Sequence, residues 1–157
     1  MLFRSEPGAA PDTHWKFGFQ GGTVQDNGHT EPSLQLSMAY EFNRTWGVEA
    51  LFNANALFER DGAIDNGVYE FDHAWGMRAL GTLPLSDRWS LVGGLGVTTV
   101  NETPGLALHA GSHSRTGVMV SVAPTYRISR RWSMGLEVAS FTQSHTLNLG
   151  LRGELHF

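Results

Sequence analysis

Apolar side chains recur at every second residue through most of this chain, and that period restricts the fold more than any other feature. At the C-terminus Leu147, Leu149, Leu151, Leu155 and Phe157 alternate with Asn148, Gly150, Arg152, Glu154 and His156. A repeat of two puts one set of side chains on one face of an extended strand. The same pattern marks Trp15/Phe17/Phe19, Leu34/Leu36/Met38/Tyr40/Phe42, Trp46/Val48/Ala50/Phe52 and Trp75/Met77/Ala79 running on to Leu83. It continues at Trp89/Leu91/Leu95/Val97, Val118/Val120/Val122/Tyr126/Ile128 and Trp132/Met134/Leu136/Val138, so that eight strands are predicted. A period of 3.6 fits none of these segments, and each glycine within them would weaken a helix by roughly 1 kcal/mol.

Charge follows the same parity. Lys16, Glu41, Glu49, Asp72, Arg78, Arg127, Glu137, Arg152 and Glu154 all fall opposite the apolar residues of their segments. Parity alone admits two closed arrangements: a soluble carrier with its apolar face inward around a ligand, or a transmembrane barrel with that face outward. Residue size separates them. The polar face carries Gly18, Ser37, Ala39, Gly76, Gly94, Gly96, Ser121, Ala123, Gly135 and Gly150, while the large residues lie on the other. Small residues interleaved with a few long charged ones suit a narrow lumen filled by side chains. Large apolar residues suit an outer circumference facing lipid, where a Lys or Arg at mid-depth would cost ~2–4 kcal/mol. The inward charges must then pair, because an unpaired charge away from water is expensive. An interior ion-pair network of Lys16, Glu49, Arg78, Arg127, Glu137, Arg152 and Glu154 is expected. Folding the last hairpin near Phe141 to His145 sets Glu137 roughly opposite Arg152; Glu49 and Arg78, on adjacent strands, are the next pair.

Connections alternate in length. Asn43-Arg44-Thr45, Pro84 to Arg88 and Ser129-Arg130-Arg131 are tight, whereas Asp26 to Ser33, Phe58 to Glu70 and Asn101 to Arg115 are longer. Each tight turn is followed by a tryptophan, and Trp46, Trp89 and Trp132 lie 43 residues apart, a hairpin-sized repeat. With Trp15 and Phe157 these form a predicted aromatic ring at a membrane–water boundary, where an indole finds apolar surroundings and a partner for its N–H.

Composition excludes several other classes. The chain of 157 residues suits one domain, with residues 1–13 expected as a flexible leader and 14–157 as the barrel. Eleven basic against fifteen acidic residues, with Lys16 the one lysine, offer no basic face for nucleic acid. No cysteine is present, which removes thiolate chemistry and disulfides. No apolar run approaches the length of a transmembrane helix, so a bilayer could be crossed by a closed barrel alone.

The strand–turn–Trp–strand units Tyr40 to Ala50, Leu83 to Val97 and Tyr126 to Val138, with the closing segment Leu147 to Phe157, resemble the small outer-membrane β-barrel family, the eight-stranded OmpA-like transmembrane domains. The likeness runs from about His14 to the end. It implies a closed, all-β, antiparallel up-and-down barrel in the outer membrane of a Gram-negative bacterium. Termini and tight turns would lie in the periplasm, longer loops outside, and Phe157 would resemble the terminal signal read by the barrel-assembly machinery. Bilayer lipid and lipopolysaccharide are the further implied partners. Chains with a peptidoglycan-binding domain continue past the barrel, so cell-wall tethering is not carried over.

Catalytic groupings are weak. Ser144-His145 with Ser140 and Glu137, and His113-Ser114, have no distinctive spacing, and His109 and His113 lie in a Gly/Ser-rich segment that sets no metal geometry. No catalytic residue, metal or cofactor is expected. Asp26, Glu31, Glu59, Asp61, Asp65, Glu70 and Glu102 make the longer connections acidic, against Arg60 and Arg115. The expected function is a non-enzymatic membrane-structural or surface-interaction role. A narrow channel for ions or small apolar molecules, a lipid-modifying barrel enzyme and a lipocalin-like carrier are the alternatives.

Overall fold

The computed structural model describes residues 14–26, 29–54, 69–104, 113–142 and 146–157. Eight strands follow in order: β1 (Trp15–Asp26), β2 (His29–Glu41), β3 (Trp46–Ala54), β4 (Tyr69–Pro84), β5 (Trp89–Pro104), β6 (His113–Arg127), β7 (Trp132–Phe141) and β8 (Thr146–His156). Each pairs antiparallel with its sequence neighbour, and β1 closes on β8 through Lys16↔His156 to Gln25↔Leu147. Closure leaves no edge strand, so every strand finds backbone partners on both sides. Pro124, which lacks an N–H, falls where the β6–β7 ladder skips from Val122↔Val138 to Thr125↔Gly135.

The predicted parity is the barrel's inside and outside. Trp46 (57 %), Leu95 (60 %) and Leu149 (49 %) are exposed on the outer wall, while Glu137 (2 %) and Arg152 (5 %) are buried in the lumen. β7 alternates exposed and buried without interruption from Trp132 to Phe141. This is the reverse of a soluble carrier, whose apolar side chains line the central space.

The three tight connections share one construction. In each, the side chain three residues before the tryptophan caps the turn: Asn43 Oδ1 accepts from the Thr45 and Trp46 amides, both at 2.8 Å. Ser86 Oγ accepts from the amides of Arg88 and Trp89, and Ser129 Oγ from those of Arg131 and Trp132. The amides of Phe42, Leu85 and Ile128 return to the carbonyls of Trp46, Trp89 and Trp132. The 43-residue repeat is thus a repeat of turn chemistry, an Asn or Ser side chain replacing a backbone acceptor.

At the other end the strands run further than their apolar pattern. β1 reaches Asp26 and β2 starts at His29, and β5 and β6 extend to Pro104 and from His113, where longer connections are predicted. Backbone pairing carries these ladders beyond the apolar band, and side chains that leave the lipid no longer alternate in hydrophobicity. A register shift between Phe71 and His73 marks the same region of β4.

Candidate functional site in the barrel lumen

The lumen is narrow, and its glycines make room for its arginines. A Cβ on Gly94 would collide with Ser121 Oγ and lie 2.9 Å from Arg78 Cδ; one on Gly18 would collide with Ser37 Oγ and lie 3.3 Å from Arg152 Nη2. The two guanidiniums occupy the space these side chains forgo.

Glu49 on β3 stands directly opposite Arg78 on β4. Arg78 Nε donates to Glu49 Oε2, and Nη2 reaches across the lumen to Glu137 Oε2 on β7 at 2.8 Å. Its Nη1 donates to Ser121 Oγ on β6 at 2.6 Å and to Glu137 Oε1 at 3.1 Å. From β8, Arg152 Nη1 donates to Glu137 Oε2 at 2.7 Å, Nη2 to Glu49 Oε1, and Nε to Glu154 Oε1 at 2.9 Å. Two arginines and two glutamates therefore form a closed ring between opposite walls, with Glu154 appended. Glu154 Oε2 also accepts from Ser133 Oγ at 3.0 Å. The Glu49 and Arg78 side chains are almost wholly shielded. Ions at such depth are tolerable when each is paired and hydrogen-bonded, as here.

The remaining expected members lie apart. Lys16 pairs with Glu41 at 2.5 Å in a separate, partly exposed bridge nearer the mouth. Arg127 has the inward parity but is exposed, because it is the last residue of β6 and lines the opening at the tight-turn end. It is therefore no member of the ring. Glu137 faces Gly150 rather than Arg152, which faces Gly135. The arginine is long enough to close that diagonal. The Asp72, His113, Ser144, His145 and His109 side chains lie outside the described residues. Ser140 and Glu137 do not come together: Ser140 is on the exposed face and Glu137 on the buried one.

Amides complete the lumen, and sequence reading did not single them out. Gln20, Gln35, Asn53 and Asn148 are each buried to 2 % exposure or less. Gln20 Nε2 donates to Asn148 Oδ1 at 3.5 Å and Ser33 Oγ to the same atom at 3.4 Å. Gln35↔Asn53 lies four residues along the β2–β3 ladder from Ala39↔Glu49, away from the tight turns. Their parity, shared with the charges, was the available signal.

The expected boundary aromatics ring the tight-turn end. Trp15, Trp46, Trp89, Trp132 and Phe157 are all exposed there. Trp15 meets Tyr40 edge-on at 4.9 Å, Trp89 meets Tyr126 at 5.0 Å, and the Phe157 amide donates to the Trp15 carbonyl at 3.0 Å. Trp75 lies elsewhere, opposite Phe52 in the β3–β4 ladder.

A family model described as outer membrane protein beta-barrel domain matches residues 7–152. No curated protein matches the chain. Among solved structures it is similar to Ail, the attachment invasion locus protein of Yersinia pestis, crystallised with the heparin analogue sucrose octasulfate: 16 % identity and TM-score 0.59, over 90 % of this chain and 95 % of that one. The N-terminal β-barrel domain of Pseudomonas aeruginosa OprF is similar at 9 % identity and TM-score 0.66, over 90 % and 97 %. Neisserial surface protein A follows at 11 % identity and TM-score 0.55, over 91 % and 96 %. At these identities the likeness is one of fold.

Proposed function

Given that the chain belongs to the outer membrane protein beta-barrel domain family and is a bacterial outer-membrane protein, we propose that it is a non-enzymatic barrel with a plugged polar interior, acting at the cell surface through its longer connections. The observation that carries this reading is the Glu49–Arg78–Glu137–Arg152 ring. It ties β3 and β4 to β7 and β8 across a lumen that eight strands leave only just wide enough for side chains. A body braced in this way suits a rigid platform rather than a solute pore. The outward apolar wall meets lipid and lipopolysaccharide, and β8, with Phe157 beside it, is the segment offered to the barrel-assembly machinery.

The chemistry of the longer connections narrows the partner. Glu59, Asp61 and Asp65 outnumber Arg60 in the β3–β4 connection, and Glu70 and Glu102 stand with Arg115 on the adjoining strand ends. Ail is described with a sulfated heparin analogue; here the acidic surplus favours a cationic or divalent-cation-bridged partner instead. The test is adhesion of cells expressing the chain to surfaces coated with a basic or a sulfated polymer. Attachment to the basic surface that weakens when Glu59, Asp61 and Asp65 become Asn or Gln supports the reading; preference for the sulfated surface overturns it.

A narrow ion path is the second reading, favoured by one observation. Both amide atoms of Asn53, the Gln20 and Gln35 carbonyl oxygens and Asn148 Nδ2 are buried without a hydrogen-bond partner among the described residues. Such groups call for water, and a hydrated half-lumen would end at the ring. Planar-bilayer recording decides: silence is expected, and steady conductance by the wild type would replace the plug with a channel. The absence of enzymatic activity is tested by a lipid A modification assay on the wild type, where no activity is expected; a detectable level would overturn it, and Ser144→Ala and His145→Ala would then test those residues.

A further inference from the structure

The tight-turn end of the barrel is a basic mouth. Six of the eleven Lys and Arg residues, Lys16, Arg44, Arg88, Arg127, Arg130 and Arg131, belong to that end. A cavity of about 410 Å³ opens between the turns, with Arg44, Arg88, Arg127 and Arg130 in its wall. The nearby charges are not all available to one another. Lys16 is engaged by Glu41, and Glu154 by Arg152. Among the described residues none of the four arginines is within ion-pair distance of a carboxylate, and Asp87 is the one wall carboxylate outside those pairs. Arg88 is steadied differently: its Nη1 donates to the Tyr126 hydroxyl at 3.1 Å. That bond raises the Arg88 pKa further, so the group is permanently cationic.

We propose that this mouth binds a phosphate group. Arg44, Arg88 and Arg130 stand on three separate turns, β2–β3, β4–β5 and β6–β7, and Arg127 ends β6, so that arginines border one cavity from three sides. A tetrahedral dianion offers an oxygen to each direction, whereas a carboxylate presents two oxygens in a single plane. Like-charged groups around one cavity repel until an anion enters, and each planar fork can then donate twice. Position agrees with chemistry. Arg44, Arg88 and Arg130 lie within two residues of Trp46, Trp89 and Trp132, the indoles of the boundary ring, so the mouth sits at the level of lipid phosphates. The group can come from a headgroup of that leaflet or from a free phosphate in the adjoining compartment. The inference stands whether or not the opposite end binds a cationic partner.

The experiment uses the full chain folded in a nonionic, phosphate-free detergent, with heat-modifiable gel migration as the check on folding. One arm titrates inorganic phosphate and follows binding by ³¹P line broadening. The other compares retention of phosphatidylglycerol with that of an uncharged glycolipid. Saturable binding in either arm is expected. It should weaken by about tenfold or more in Arg88→Gln/Arg127→Gln, since two charge-assisted bonds are lost. Arg88→Lys/Arg127→Lys should lose part of it, keeping charge without the fork, and Arg115→Gln, at the far end, should lose none. Phosphate binding alone assigns a soluble source, and lipid retention alone assigns the headgroup. No binding in either arm, or equal binding by wild type and the glutamine variant, overturns the proposal.

Discussion

Arg78 is bonded at once to Glu49, its direct neighbour on β3, and to Glu137 on the far wall at 2.8 Å. One guanidinium thereby reaches from its own strand to a residue 59 positions further along the sequence, on the opposite wall. Removing a member leaves the others buried and undercompensated. Glu137→Ala takes the shared acceptor from both Arg78 and Arg152, and should destabilise the folded barrel by about 3–5 kcal/mol. Urea unfolding in lipid vesicles, followed by tryptophan fluorescence, measures this; a change under 1 kcal/mol would mean that the ring contributes little.

Space for that ring depends on particular glycines. Gly94→Ala puts a methyl against Ser121 Oγ and 2.9 Å from Arg78 Cδ, and should cost about 1–3 kcal/mol as the guanidinium is displaced. Gly21→Ala meets nothing within 4 Å and should be neutral within about 0.5 kcal/mol. Equal effects at the two positions would show that lumen crowding is not the cause.

Orientation has its own test. Leu95 is exposed on the outer wall near mid-strand, so Leu95→Arg should cost ~2–4 kcal/mol in a bilayer. The same change on a water-facing surface would be close to silent. Unfolding in lipid vesicles separates the cases, and an unchanged midpoint would contradict a lipid-facing wall.

Turn capping predicts a graded series. Asn43 accepts two amides at 2.8 Å, while Ser86 accepts at 3.4 and 3.1 Å and Ser129 at 3.3 and 3.2 Å. Asn43→Ala should therefore cost about 1 kcal/mol, with Ser86→Ala and Ser129→Ala costing less. Refolding yields read by heat-modifiable migration, beside urea midpoints, check the order; a larger loss at Ser86 would contradict it.

Much of this architecture was legible before any coordinates. Strand number, the outward apolar face and the inward charges follow from a period of two, because neighbouring side chains on an extended chain must point to opposite faces. Glu49 and Arg78 were legible as a pair from their shared parity on neighbouring strands, although the long β3–β4 connection sets no register between them. Where capping gave way to longer connections, precision fell. Glu137 pairs with Arg152 from a diagonal position, and β1, β2, β5 and β6 outrun their apolar patterns. Gln20, Gln35, Asn53 and Asn148 had the right parity but no charge to draw attention to them.

Facing is a local property, carried by two adjacent residues, and so it is written along the chain. Meeting across the lumen is not. That Arg78 finds Glu137, that Arg152 spans to Glu49, and that Arg127 is left at the mouth all depend on the stagger accumulated around eight ladders and on closure of β1 against β8. No short segment encodes that sum. It exists once the sheet has curled shut and brought opposite walls within reach of one arginine side chain.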